Sequence, residues 1–308
     1  METNKEKNFV SAVVYCFNDT AYIGSFMREL DNFLASTFLK YEIIVVDDSS
    51  MDKSVEQIKQ YVAHKEGLAV SILNMGFHQG LEASMNAGVN LAIGDFVFEF
   101  DSTYVDYDWK VVMDIYLHSL KGFDIVSARM DKKPRLTSRI FYRLFNYYAR
   151  LQHEVGMETF RVLSRRAINR IHSITKTIPY RKAAYANCGL AVDTLIYKPI
   201  CSSICKNKTG RMTLAVDSLI LFTDVAYRTT LALACIMMLI TLVMGIYAVV
   251  YKLMENPVEG WTATICFLAF ALFGVFVILA IIIKYLQIIV KLNFQKREFL
   301  FESIEKIQ

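Results

Sequence analysis

Two long stretches without a charged side chain constrain this chain more than any other feature. Thr230 to Tyr251 and Trp261 to Ile283 run for about 22 and about 23 residues, each enough for an α-helix to cross a hydrocarbon layer of about 30 Å. Only the nine residues from Lys252 to Gly260 separate them, so they read as a transmembrane hairpin rather than as two buried helices of a soluble core. Lys206, Lys208, Arg211 and Arg228 precede the hairpin, and Lys284, Lys291, Lys296 and Arg297 follow it, whereas the linker holds Lys252 with the acids Glu255 and Glu259. By the positive-inside rule both flanks, and with them Met1 and Gln308, are expected in the cytoplasm. Met1 to Asn8 is polar, with no apolar run behind it, so no cleaved signal peptide is expected.

The hairpin accounts for a hydrophobic share of 54% in a chain whose net charge is only +4. That balance, without a basic tail, argues against a nucleic-acid-coating protein. Cysteine usage fits a reducing compartment. Cys235 and Cys266 fall inside the spans, and Cys16, Cys188, Cys201 and Cys205 lack the paired spacing of a zinc site.

The first 130 or so residues alternate strand and helix, with β-rich runs at Phe9 to Tyr15, Tyr41 to Val46, Leu68 to Leu73, Phe96 to Phe100 and Asp124 to Ser127. Ile23, Phe26, Met27, Leu30, Phe33 and Leu34 form one helical face between the first two. This order predicts an α/β domain with a mainly parallel sheet, whose ligand lies at the carboxyl ends of the strands. Those ends carry Asn18 and Asp19, then Asp47, Asp48 and Ser49, then Asn74, Gly76 and Gly80, then Asp101, and finally Arg129. Turn and cap preferences account for several of them. They account poorly for Asp47 beside Asp48, because neighbouring carboxylates repel unless ligand donors or a cation share the site.

Three strings then carry a resemblance: Glu42 to Ser54 (EIIVVDDSSMDKS), Asn18-Asp19 before it, and the glycine-bearing run from Asn74 to Gly94-Asp95. Together they resemble family 2 glycosyltransferases of the Rossmann-like GT-A fold, over about residues 9 to 170. With the hairpin, the chain is similar to membrane-anchored polyprenyl-phosphate glycosyltransferases, the group of dolichol-phosphate mannose synthases and bacterial undecaprenyl-phosphate sugar transferases. The resemblance implies a GT-A domain over 1–210, an interfacial helix over 211–228, two spans within 229–284 and a cytoplasmic tail over 285–308. It places the protein in the bacterial inner membrane.

The resemblance further implies an inverting transfer of one sugar from a nucleotide-sugar donor to a lipid-linked acceptor, most simply polyprenyl phosphate. Phe17, Asp19, Asp47, Asp48, Asn74, Gly76 and Gly80 would hold the nucleotide. A divalent cation, Mg²⁺ or Mn²⁺, would bridge the phosphates at an Asp-x-Asp motif. Here that motif reads Asp101-Ser102-Thr103, so Thr103 replaces the second acid, with Glu99 as a compensating ligand. Arg129 and Arg161 would stabilise the leaving diphosphate. The family's acid before the Arg161 motif falls at Val155, between Glu154 and Glu158, either of which could act as a base.

Between Arg135 and Leu151 an amphipathic, arginine-rich helix suits an anionic membrane surface. Four readings stay open at this point: the polyprenyl-phosphate transferase, transfer to a glycolipid or growing polysaccharide, a relative that binds a nucleotide sugar without turnover, and a metal-free site relying on Arg129 and Arg161. A phosphorylatable receiver shares the acidic pair, but the glycine-bearing segment and the hairpin are foreign to it. Homo-oligomerisation is left open, and no nucleic-acid partner is expected.

Overall fold

The computed structural model describes residues 5–65, 67–131, 143, 156, 158–174, 180–200, 225–254, 260–293 and 300–307. The amphipathic helix expected over 135–151, apart from Arg143, and the interfacial stretch before residue 225 lie outside them, as do Glu154, Val155, Cys201 and Cys205. The chain divides into two compact units, one of residues 1–208 with 296–308 and one of residues 209–295.

In the first unit, β1 (Glu6–Cys16), α1 (Ile23–Thr37), β2 (Phe38–Asp47), α2 (Ser54–Ala63), β3 (Val70–Met75), α3 (Leu81–Leu91), β4 (Phe96–Phe100), α4 (Trp109–Leu120) and β5 (Ile125–Met130) alternate as the apolar runs predict. Then follow β6 (Glu158–Ser164), α5 (Arg165–Ile174), α6 (Arg181–Ala186) and β7 (Val192–Tyr197). The second unit holds α7 (Val225–Met254) and α8 (Trp261–Asn293), after which β8 (Phe301–Ile307) belongs to the first unit again. One eight-stranded sheet results, in the order β7-β5-β6-β4-β1-β2-β3-β8. β4, β1, β2 and β3 run parallel, while β6 is antiparallel to both its neighbours and β8 is antiparallel to β3.

Alternation along β1 shows why the sheet is covered on both faces. Val10, Ala12 and Val14 pack with Phe26, Met27 and Leu30 of α1 and with Val112 and Ile115 of α4. Val13 points the other way, among Met85 and Val89 of α3 and Ala167, Ile168 and Ile171 of α5. Two motif glycines serve this packing rather than chemistry. A Cβ at Gly88 would lie 2.5 Å from a Val13 methyl and 2.6 Å from one of Val46, and a Cβ at Gly94 would lie 2.6 Å from the Ser11 amide nitrogen. Asp95 beside it is also structural, accepting a 3.0 Å bond from the Phe9 amide at the opposite end of the sheet from the candidate site.

The second unit is a pair of helices, each with a span long and apolar enough to cross a membrane: Thr230–Met254 with mean hydropathy 2.6 and Trp261–Leu286 with 3.1. Large apolar side chains such as Leu239, Leu242, Phe267 and Phe270 stand exposed along both. A soluble monomer rarely shows such a surface. Small residues let the helices approach: Ala234 and Ala248 are buried, and a Cβ at Gly245 would rest 3.6 Å from the Ala269 methyl. Tyr251 meets Trp261 edge-on at 5.6 Å near the connection, where amphipathic rings suit a membrane interface.

Candidate functional site

The loops after β1 and β2 are tied into one ledge. The Asn18 amide donates to the Ser50 hydroxyl, the Asn18 side-chain oxygen accepts from the Met51 amide, and the Thr20 amide donates to Asp52. Asn18 (φ 49°) and Ser49 (φ 62°) both hold left-handed backbone conformations. For non-glycine residues that strain persists only where the surroundings over-determine it, and here it sits at the strand ends where the ligand was expected.

The acidic pair divides its work. Asp48 is fully buried, and its carboxylate accepts from the Gln79 amide (2.7 Å), the Gly80 amide (2.9 Å) and the Tyr15 hydroxyl (2.9 Å), with the His78 Nδ1 also at 2.9 Å. Burial and then the Asp48 charge push the Tyr15 phenol upward, so it stays a donor. Asp48, expected to touch the nucleoside, thus anchors the 76–80 loop. Gly80 (φ +88°) gives that loop a backbone turn that side-chain-bearing residues rarely adopt. Asp47 keeps one oxygen on the Ser50 amide, while its Oδ1 is buried with no partner. Burial raises the Asp47 carboxyl. A buried acceptor of this kind calls for a donor, from ordered water or from a ligand. Phe17, half-buried, stacks on His78 at 4.1 Å between the β1 and β3 loops.

The last strand reaches the same loop. Asn74 donates to the Ser303 hydroxyl and to Glu305, so its side chain faces β8 rather than a ligand. Gly76 donates its amide to the Leu300 carbonyl, and the Gln79 side chain exchanges two hydrogen bonds with the Leu300 backbone. Gln79→Ala should therefore raise amide hydrogen exchange across residues 76–80 by at least about fivefold while leaving exchange in β1 and β2 unchanged. The estimate takes about 0.5–1.5 kcal/mol for each of the two bonds lost. Exchange read by mass spectrometry checks it.

Beyond β4 the site changes character. Asp101 accepts from Arg161 Nη2 and Arg181 Nη2, each at 2.8 Å. Glu99 faces Arg161 Nη1 at 2.7 Å, Arg181 Nη1 at 3.0 Å and the Tyr185 hydroxyl at 2.7 Å. Glu82, in the first turn of α3, takes the Arg181 backbone amide and its Nε. Both arginines are wholly buried. Register places Arg161 on β6 directly across from Glu99 on β4. Burial alone would raise the Asp101 carboxyl, but the Arg161 and Arg181 guanidiniums bring it down to about 2.

These contacts decide how the expected metal ligands are used. Glu99 is a counter-ion with no exposed surface, Asp101 has both oxygens on guanidiniums, and the Thr103 hydroxyl donates to Asp19 at 2.9 Å. No group of three or more acid, histidine or cysteine side chains suited to a metal ion occurs among the described residues. The donor set does not fit a divalent cation as it stands.

Arg161, expected to meet a diphosphate, is sealed in this network. Arg129 is different. It is half-buried at the end of β5, across from Glu158 on β6, its side chain makes no hydrogen bond or ion pair among the described residues, and it lies against Gly156, where a Cβ would be 3.1 Å from its Nη1. Lys182, at the start of α6, donates to the carbonyls of Gly156 and Glu158 and acts electrostatically on Asp101. Glu158 lies on β6 and accepts a long 3.4 Å bond from the Gly156 amide.

Sequence reading missed Glu82, Arg181, Lys182 and Tyr185. One signal was present: Glu99 lies inside an apolar strand, and a buried carboxylate demands a buried partner.

Comparison with known proteins follows from this geometry. The profile described as Glycosyl transferase family 2 matches residues 11–172. The chain is 24% identical over 275 residues to a bactoprenol glucosyl transferase of Shigella phage SfV, covering 85% of this chain and 87% of that one. It is 26% identical over 126 residues to an undecaprenyl-phosphate 4-deoxy-4-formamido-L-arabinose transferase of Pseudomonas paraeruginosa, covering 41% and 37%. The match spans 58% and 60% of the length of the first two curated relatives. Among solved structures, a mannosyltransferase from Pyrobaculum calidifontis in complex with GDP-Man and Mn²⁺ shows 13% identity and a TM-score of 0.48, covering 70% of this chain and 63% of that one.

Proposed function

The chain belongs to glycosyl transferase family 2, and from that premise we propose that it is an inverting glycosyltransferase moving one sugar from a nucleotide-sugar donor to polyprenyl phosphate at the cytoplasmic face of a membrane. One observation carries the reading. The sheet whose carboxyl ends gather Phe17, Asp19, Asp47 and Arg129 takes its last strand, β8, from the chain that follows the two apolar helices. A donor site and a membrane segment are thereby built into one polypeptide, as a water-soluble donor and a lipid acceptor require. The bactoprenol and undecaprenyl-phosphate transferases supply the acceptor class by analogy, at low identity.

In this reading the free Asp47 oxygen, Asp19 and the Phe17 ring hold the nucleoside, and Arg129 and Lys182 meet the diphosphate. An acceptor oxygen forms the new bond to the anomeric carbon as the bond to the donor phosphate breaks on the opposite face. The electron pair leaves on the nucleoside diphosphate, whose added charge the two cations stabilise. A lipid phosphate is already ionised and needs no proton removed, so the demand on Glu154 or Glu158 as a base is small. A hydroxyl acceptor on a glycolipid would need one.

In this reading the two apolar helices are spans, and because the chain returns to the first unit as β8, an even number of crossings follows. Tags at residue 1 and residue 308 should both resist protease added to the outside of intact cells. Cleavage of either from outside would overturn the topology.

The function is tested by measuring nucleoside diphosphate release from a panel of nucleotide sugars, with polyprenyl phosphate, with a lipid-linked oligosaccharide, or with no acceptor. Release stimulated by polyprenyl phosphate supports the proposal. Stimulation by the oligosaccharide alone points to a hydroxyl acceptor, and no release with any donor points to a non-catalytic relative.

A further inference from the structure

At Asp101 the protein has already placed two positive charges where the resemblance calls for a metal ion. We infer that Arg161 and Arg181 stand in for the divalent cation at this carboxylate, and that the chain binds its nucleoside diphosphate without metal, using Arg129 and Lys182 for the phosphates. This rests on the proposed function and goes beyond it.

Three features support the inference. Both Asp101 oxygens accept from guanidinium nitrogens at 2.8 Å, so the ion's protein ligand is taken. The second acid of the motif is Thr103, whose hydroxyl is turned to Asp19. Arg161 and Arg181 are held in place by their own counter-ions, Glu99 and Glu82, so they are fixed parts of the fold rather than mobile groups filling a vacant metal site. Arginine cannot lose its proton at ordinary pH, which makes the substitution permanent.

The charge on the diphosphate must then be met from elsewhere on the same edge. Three carboxylates face the two buried guanidiniums, so those arginines have no positive charge to spare. Arg129 makes no side-chain ion pair among the described residues, with Glu158 across from it on β6 as its nearest acid in register. Lys182 bonds only to backbone carbonyls among them, and those are neutral. The two side chains converge on Gly156 from β5 and from α6, and the absence of a side chain at Gly156 leaves room for Arg129 there.

Calorimetry of the full chain in detergent, with uridine diphosphate and guanosine diphosphate in turn, tests this in excess chelator and again with Mn²⁺ or Mg²⁺. For the nucleotide that binds, the affinity should agree within about threefold across these conditions. Arg129→Gln and Lys182→Gln should each weaken it about tenfold, the first without changing the thermal midpoint and the second lowering it by only a few degrees for the two carbonyl bonds lost. Mn²⁺ added alone should keep the paramagnetic resonance spectrum of the free ion. Binding that appears only with metal, or a bound Mn²⁺ signal lost in Asp101→Asn, would overturn the inference and leave the proposed function standing. Failure of both nucleotides to bind in every condition, together with no release from any donor of the nucleotide-sugar panel, would overturn the functional reading together with this one.

Discussion

Arg181→Met should cost about 3–5 kcal/mol of folding free energy, the largest effect expected of any single substitution at the site. The arginine is wholly buried and contacts Glu82, Glu99 and Asp101 at once. Removing it leaves Glu99 and Asp101 to Arg161 alone and Glu82 without its guanidinium partner, and the uncompensated buried charge rather than the lost contacts sets the magnitude. Near the thermal midpoint this corresponds to a fall of about 6–20 °C for a unit of this size. Arg181→Lys should recover little, because one ammonium cannot reproduce a planar fork that serves three acids. Thermal unfolding followed by circular dichroism decides. A midpoint within about 2 °C of wild type would mean that the acids find other partners, and that the network is not the unit described here.

Asp48→Asn should lower nucleoside diphosphate affinity by about tenfold to a hundredfold, with a smaller loss of stability. The aspartate accepts from two consecutive loop amides and a tyrosine hydroxyl. An asparagine has one acceptor oxygen and brings an NH₂ group against at least one of those donors, leaving it unmet at about 1–3 kcal/mol. The loop from Gly76 to Gly80 then loses its fixed geometry, along with His78, on which Phe17 stacks. The effect on binding is indirect, so Asp47→Asn, which alters the acid with the free oxygen, should weaken binding while leaving the loop ordered. Calorimetry combined with hydrogen exchange at residues 76–80 separates the two. Equal loop protection in wild type and Asp48→Asn would contradict the anchoring role.

Much of the fold is legible in the sequence because its dominant signals are local. Val10 to Val14 and Ile43 to Val46 are apolar runs whose alternate members face two helical layers, and such runs read as buried strands from composition alone. The charge-free lengths of the two spans are equally direct. The strands whose place in the sheet the sequence leaves open are those whose reasons are distant in the chain. β6 carries Arg161 in its interior, which reads as a surface residue until β4 supplies Glu99 opposite it. β8 is mostly exposed, alternating charge with apolar residues, and its place depends on an unpaired edge of β3 more than two hundred residues earlier.

The site was legible in location and less so in assignment. Strand ends pointed to Asp19, Asp47, Asp48, Asp101 and Arg129, and the structure finds them all on the carboxyl edge of one sheet. What sequence cannot show is which neighbouring acid is already satisfied. Asp47 and Asp48 are equivalent as letters, yet one is filled by Gln79, Gly80 and Tyr15 and the other keeps a bare oxygen. Asp101 likewise looks like a metal ligand until Arg181, eighty residues on, is brought against it.

The central claim is that this chain joins a sugar to a membrane lipid phosphate, and lipid product analysis tests it most directly. The full chain in vesicles containing a short polyprenyl phosphate is incubated with each nucleotide sugar, and the extracted lipids are weighed by mass spectrometry. The account predicts, for at least one donor, a new lipid with the mass of polyprenyl phosphate plus a single sugar residue, absent when Arg129 is replaced by glutamine together with Lys182. Donor turnover to free sugar with the lipid mass unchanged, or a sugar found only on a lipid that carries no phosphate acceptor, would contradict it.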